Sequence, residues 1–180
     1  GLSVMTYMMP CEVPESVPEW RYWSEQWSLG EHHGWTDEVW DRTTCVPSWV
    51  DYVVAFRMRM LRRYKFGGYY IDNSSARYGR NANAGFGYER DGRIIPTYNY
   101  FGLRKLYKRL YTAVNQYESE HGKPTMIMGH VSGELPLAFL GFLDNRLDGE
   151  QFLGPVRIEK KSYHDLISLE KWRATNLSAN

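Results

Sequence analysis

The chain has 180 residues, a formal net charge of +1 and a 43% hydrophobic composition. That length suggests one domain, spanning 1–180, with a sizeable core, and the near-zero charge gives no global field toward nucleic acid or a membrane surface. No run approaches the roughly 18 apolar residues of a membrane helix, and two cysteines, Cys11 and Cys45, are enough to pair but too few for a disulfide framework or a zinc site.

The chain opens on Gly1 without a basic-then-apolar leader, and reads as a processed chain or a piece of a longer one. Residues 2–9 (LSVMTYMM), stopped by Pro10, read as a buried strand. Residues 10–46 show no regular period and hold Trp20, Trp23, Trp27, Trp35 and Trp40. A structureless loop of that length is usually functional, and we read it as a wall over a pocket, with Trp23 and Trp27 offering rings for a ligand to stack on. Glu31-His32-His33 with Asp37 offers metal-binding atoms without a ligand spacing. We read that stretch as solvated and expect neither metal nor cofactor.

A helix is expected over 47–64, with Ser48 as N-cap, Asp51 three residues on, and Val50, Val53, Val54, Leu61 and Tyr64 as its buried stripe. The arginines at its end suit a helix C-terminus, and no nucleic-acid motif accompanies them. Gly67-Gly68 turns the chain into a strand, Gly68 to Ile71, which ends in Asp72, Asn73, Ser74 and Ser75. A second long loop covers 73–98, with Asp91-Gly92 as the turn of a small hairpin between Tyr88 and Ile95. The clearest helix is 100–121, ended by Gly122 and Pro124. A strand over 125–128 leads into His130 and Ser132. A further strand over 138–143 leads into Asp144, Asp148 and Glu150, and a last helix starts at Ser162 with Asp165 and runs to about Arg173.

Continuous apolar strands alternating with amphipathic helices argue for an α/β fold with a parallel sheet. The polar sets Asp72/Asn73, His130/Ser132 and Asp144/Asp148/Glu150 then share the rim at the strands' carboxyl ends, where such folds carry out chemistry. A full eight-fold barrel needs about 250 residues, so the chain reads as a partial TIM (β/α) barrel or a small open sheet.

The segments GGYYIDNSSA, YFGLRKLYKRLYTAV and MIMGHVSGELPLAFLGFLDNRLDGEQF resemble the later half of the barrel in glycoside hydrolase family 123-like proteins. Those are large, mostly bacterial, secreted-type proteins with a β-sandwich beside the barrel. The resemblance implies a carbohydrate-active barrel in a secreted or periplasmic protein, acting on 2-acetamido sugars. Its partners would be a carbohydrate substrate and the remainder of the barrel or an accessory β-sandwich domain. In the family an adjacent Asp-Glu pair ends the strand. The Asp orients the substrate's own N-acetyl group as nucleophile, and the Glu is the general acid. Asp72 matches the Asp, but Asn73 stands where the Glu would be and cannot donate a proton as a carboxylic acid does.

Glycoside hydrolysis ordinarily needs two carboxyl groups. We expect Asp72 as nucleophile or polarising base and Glu150 as general acid, kept protonated by partial burial near Phe142, Phe152 and tyrosines. Asn73, Tyr70, His130, Asp144, Trp23 and Trp27 are the expected substrate-binding residues. Tyr69 and Tyr70 point to opposite faces of their strand, so one of them faces the site. The competing expectation is a barrel of the same descent that binds glycan without cleaving it.

Overall fold

The computed structural model describes residues 3–35, 37–132 and 137–176. The chain begins with β1 (Thr6–Met8) and makes an excursion of β2 (Glu12–Pro14), α1 (Trp20–Trp27), β3 (Ser28–Trp35) and β4 (Glu38–Thr43) before helix α2 (Pro47–Tyr64). Strand β5 (Gly68–Ile71) leads into a second excursion: β6 (Tyr78–Gly79), a 3₁₀ turn, β7 (Tyr88–Arg90), β8 (Arg93–Ile95) and β9 (Thr97–Tyr98). Helix α3 (Tyr100–His121), β10 (Met126–His130), α4 (Leu137–Leu140) and β11 (Asn145–Leu147) follow. Three short helices, α5 (Leu153–Arg157), α6 (Tyr163–Leu166) and α7 (Leu169–Asn176), come last. Among the described residues no helix is long and apolar enough to cross a membrane.

Four strands form one parallel sheet in the order β1-β5-β10-β11. The chain thus advances one strand at a time, with α2, α3 and α4 as the crossovers, the arrangement that βαβ units impose. Alternation sorts the side chains between two faces. Met8, Tyr69, Ile71 and Ile127 are buried and join the core with Val50, Val53, Met58, Leu61, Leu103, Leu106 and Leu110 of α2 and α3. Tyr7, Tyr70, Met128 and His130 lie on the other face, where Tyr7 is 47% exposed. Gly68 is required at its position. Its φ is +142°, and a Cβ there would run into the Met126 backbone, so only glycine lets β5 and β10 approach.

The expected helices 47–64 and 100–121 and the strand 68–71 are found with those bounds. Helix α2 begins differently from expectation. Val46 is its N-cap and Pro47 its first residue, which needs no N–H there. Ser48 instead accepts a bond from Trp27 Nε1 at 3.0 Å and donates to Gln26 Oε1 at 3.0 Å. Tyr64 is exposed, and Trp49 and Met58 complete the buried stripe. The hairpin at Asp91-Gly92 is present, with φ of +52° and +71° at its two turn residues and Tyr88 opposite Ile95, as a two-residue turn with both φ positive requires.

Three expectations are corrected. Residues 10–46 are not structureless: β2, β4 and β3 form an antiparallel sheet in that order, and Trp20, Trp23 and Trp27 share helix α1. The apolar run 138–143 is not a strand. It carries the single helical turn α4, whose Phe139 stacks on Tyr107 with centroids 4.8 Å apart, and the strand comes later, at 145–147. A short apolar run does not distinguish strand from buried helix. The last helix is two. Ser162 and Asp165 do form a capping box, but α6 ends after one turn and α7 starts afresh at Leu169. The second excursion is closed at its base by Arg77 and Asn99: the Asn99 N–H donates to the Arg77 carbonyl at 3.0 Å, and the Arg77 N–H donates to Asn99 Oδ1 at 2.7 Å.

Candidate active site

The carboxyl ends of β5 and β10 stay paired beyond the strands. The Asp72 N–H donates to the Met8 carbonyl at 2.8 Å, and the Ser74 N–H donates to the His130 carbonyl at 3.2 Å. These bonds hold Asp72 between the ends of β1 and β10. Asn73 then takes a left-handed φ of +50°, a conformation Asn tolerates better than most residues, and its N–H returns to Asp72 Oδ1 at 2.8 Å.

Asp72 collects three donors. Tyr7 Oη donates to Oδ2 at 2.5 Å, and His130 Nδ1 and the Asn73 amide share Oδ1 at 2.7 and 2.8 Å. Burial works to raise the Asp72 pKa, but the bonds from Tyr7, Asn73 and His130 outweigh it and hold the carboxyl below the usual carboxylate range. Burial and the neighbouring Asp72 together push the Tyr7 phenol far up, so it stays a donor. Asp72 is therefore an ionised, fixed anion.

With its Nδ1–H given to Asp72, His130 presents Nε2 on the far side of the ring. Nε2 faces Ser132 Oγ at 3.0 Å and Glu150 Oε2 at 3.4 Å. Tyr70 lies along this group, its ring 6.1 Å from that of His130 and 5.8 Å from that of Tyr7. Burial raises the Tyr70 phenol, and the charges of Asp72 and Glu150 add to the shift. Tyr69, on the opposite face, is in the core and donates to the Arg57 carbonyl at 2.5 Å. The tyrosine facing the site is Tyr70.

The structure thus brings together Asp72, Asn73, Tyr70, His130 and Glu150, and adds Tyr7 and Ser132. Tyr7 is in register with Tyr70 in the neighbouring strand, and alternation places the two on one face, a pairing that one sequence does not display. The Asp72–His130–Ser132 chain has the connectivity of acyl-transfer triads, while Glu150 supplies a second carboxyl beside the same imidazole.

No protein-family model matches the chain, and no curated protein matches it. Among solved structures it is similar to TtGalA, an alpha-galactosidase from Thermus thermophilus in complex with stachyose. The TM-score is 0.49 and the sequence identity 15%, over 78% of this chain and 27% of that one. The chain spans about a quarter of that protein's length.

The remaining expected residues lie elsewhere. Asp144 falls before β11 rather than after it, and so sits toward the amino end of the sheet. Its Oδ2 accepts the Ile127 N–H at 2.7 Å, and its own N–H donates to the Ile127 carbonyl at 2.8 Å. Asp148 is past the strand end but is held by Arg146 at 3.1 Å and by the Gly149 N–H at 2.7 Å. Trp27 is in the core, edge-on to Trp49 at 4.9 Å, and Trp23 stacks on Trp27 at 5.9 Å. Trp27 anchors the first excursion to α2 through Trp49 and Tyr52, and Trp23, 41% exposed, covers its outer side. The partial burial expected of Glu150 is not found: its side chain is 58% exposed. Phe142 packs with Tyr111, and Phe152 with Tyr163. A cleft of about 930 Å³ lies apart from the cluster, between the start of α2, α3 and residues 84–87, with Val50, Phe101, Lys105 and Arg109 in its walls.

Proposed function

We propose that this chain is part of a carbohydrate-active barrel and that the cluster at Asp72 hydrolyses glycosidic bonds. One observation carries the reading: two carboxyl groups, Asp72 and Glu150, stand on opposite nitrogens of one imidazole at the carboxyl rim of a parallel sheet. The distances on the two sides of the ring, 2.7 and 3.4 Å, put the nearer oxygens no more than about 8 Å apart, under the upper limit of roughly 9.5 Å for glycosidase carboxyl pairs. The resemblance to family 123 supports the same reading and directs it toward 2-acetamido sugars.

In this mechanism Asp72 is the polarising base rather than the nucleophile, because three donors already spread its charge. It would orient either a water or the substrate's acetamido group for attack on the anomeric carbon. Glu150 would give the proton to the departing glycosidic oxygen once bound sugar and the remainder of the barrel cover it, with His130 behind it. Asn73 would bind the sugar and not transfer the proton. The exposed sheet face at Tyr7 and Met126 would be the barrel interior, covered by the remainder of the barrel. A secreted or periplasmic location belongs to the same reading.

A second reading, glycan binding without cleavage, is favoured by Asn73 at the family's acid position. The experiment is hydrolysis of aryl glycosides with and without a 2-acetamido group, and of an aryl acetate, by the chain and its Glu150→Gln and Asp72→Asn variants. Glycoside turnover lost in both variants supports the hydrolase. Saturable sugar binding by a folded chain without turnover selects the second reading. Acetate hydrolysis lost on Ser132→Ala, with glycosides untouched, overturns both.

A further inference from the structure

A second cluster lies in the first excursion, within the β2-β4-β3 sheet. His32 of β3 is directly opposite Asp41 of β4 in register, and Glu15 follows β2, its N–H donating to the Val39 carbonyl of β4 at 3.0 Å. An irregularity in β3 brings the groups together. Ser28 is opposite Thr43 and His32 opposite Asp41, so β3 spends four steps where β4 spends two, and Gly30 makes the bulge with φ +72°. Both ends of the bulge then reach one carboxylate: Ser28 Oγ donates to Asp41 Oδ2 at 2.7 Å, and His32 Nδ1 stands 3.1 Å from the same oxygen. Glu15 Oε1 stands 3.0 Å from that same Nδ1.

The charges of this group do not balance. Two carboxylates converge on one ring nitrogen, which has one hydrogen to offer. No lysine or arginine is ion-paired with Glu15 or Asp41 among the described residues. Asp41 is wholly buried, and its Oδ1 accepts no hydrogen bond of normal geometry among those residues. A buried carboxylate so placed needs a proton or a cation.

We propose that Glu15, His32 and Asp41 bind a divalent first-row transition-metal ion. One atom from each residue lies within 4.8 Å of the other two. Around an ion with bonds of about 2.0–2.2 Å, neighbouring donors lie about 3.0 Å apart in octahedral and about 3.4 Å in tetrahedral geometry; the two spacings to His32 Nδ1, 3.0 and 3.1 Å, match the first, and the two carboxylates lie within 4.8 Å of each other. A neutral imidazole with two carboxylates cancels the charge of such an ion, and imidazole with carboxylate suits zinc, iron, nickel and manganese better than calcium. Asp41 anchors the site from below, while His32 and Glu15 leave the outer positions to solvent. The ion would fasten β3 to the segment after β2. Coordination at Nδ1 leaves the ring's one proton on Nε2. The loop pattern Glu31-His32-His33 with Asp37 is not the ligand set: strand alternation gives His32 partners from β4 and the end of β2. The side chains of Glu31 and His33 lie outside the described residues.

The test is calorimetric titration of the metal-stripped chain with zinc chloride near neutral pH, in two buffers of different ionisation enthalpy. One equivalent should bind in both buffers, with a rise in Tm. Outer partners of metal ligands are worth about 10–100-fold in affinity, so His32→Ala and Glu15→Ala, both surface changes, should each weaken zinc at least tenfold. Asp72→Asn should bind zinc as the parent does. Absence of saturable binding, or unchanged affinity in either of the two ligand variants, overturns the proposal.

Discussion

His130 Nδ1 lies 2.7 Å from Asp72 Oδ1, and this one contact joins the ends of two adjacent parallel strands. It is one of three donations that keep Asp72 ionised below the usual carboxylate range. A carboxyl whose folded pKa is depressed adds stability that is complete above its unfolded value, about 3.9, and is lost as pH falls through the folded value. The chain should therefore lose Tm below about pH 4. Asp72→Asn should flatten that limb of the Tm–pH curve, measured by circular dichroism. An identical acid limb in the variant would mean that Asp72 carries no such linkage.

Glu150 and Asp72 should separate in their effects. Glu150 is the more exposed of the two, and no strand contact depends on it. Glu150→Gln should leave Tm within about 0.5 kcal/mol of the parent's stability and lower kcat on aryl glycosides by about 10²–10⁴-fold. An unaltered kcat would remove Glu150 from the acid role.

Phe139 anchors the single turn of α4 by stacking on Tyr107, and both rings are fully buried. Phe139→Ala should cost about 3–5 kcal/mol. Urea unfolding should show a lower midpoint at an unchanged slope. A cost under about 1 kcal/mol would mean that α4 is not docked on α3.

Cys11 and Cys45 place their sulfurs 3.2 Å apart in the core, both as free thiols. The hydrogen bond with Cys11 and burial hold the Cys45 thiol well above its ordinary pKa. Both sulfurs are buried and out of reach of the reagent, so neither cysteine should react with Ellman's reagent in the folded chain, and both should react at once in guanidinium. Rapid native labelling would contradict this.

Gly68 and Gly154 should respond to alanine to different degrees. At Gly68 the positive φ and the Met126 backbone oppose a Cβ, whereas at Gly154, in α5, the opposition comes from the ring of the following Pro155. Gly68→Ala should destabilise by more than about 1 kcal/mol, and Gly154→Ala should change stability by less than about 1 kcal/mol. Thermal melts of the two variants side by side give the answer.

Much of the fold could be read from periodicity. Leu103, Leu106, Leu110 and Val114 marked α3, and Asp91-Gly92 marked a hairpin, because each signal is local. The first excursion was not legible. Its strand β2 is three residues long, and the bulge at Gly30 breaks the alternation in β3. Yet Trp20, Trp23 and Trp27 stand at helical spacing. At the site, Asp72, Asn73, Tyr70, His130 and Glu150 followed from the rule that strand ends carry chemistry. Asp144 was displaced because the apolar run before it is a helical turn, which moves the strand from before that residue to after it. The approach of His32 to Glu15 and Asp41 depends on strand pairing across distant residues, which one sequence does not display.

Arg77 and Asn99 close the second excursion with bonds of 3.0 and 2.7 Å. The two ends of residues 78–98 are therefore already side by side, and away from that junction the Asn81 side chain ties the segment to the first excursion, donating to the Glu25 carbonyl at 2.8 Å and the Ser28 carbonyl at 2.6 Å. The segment behaves as an exchangeable cassette: a different loop spliced between Arg77 and Asn99 inherits its entry and exit geometry and leaves the strand order undisturbed. Variation within residues 78–98 is thereby uncoupled from the pairing of the four-stranded sheet, to which the segment contributes no strand.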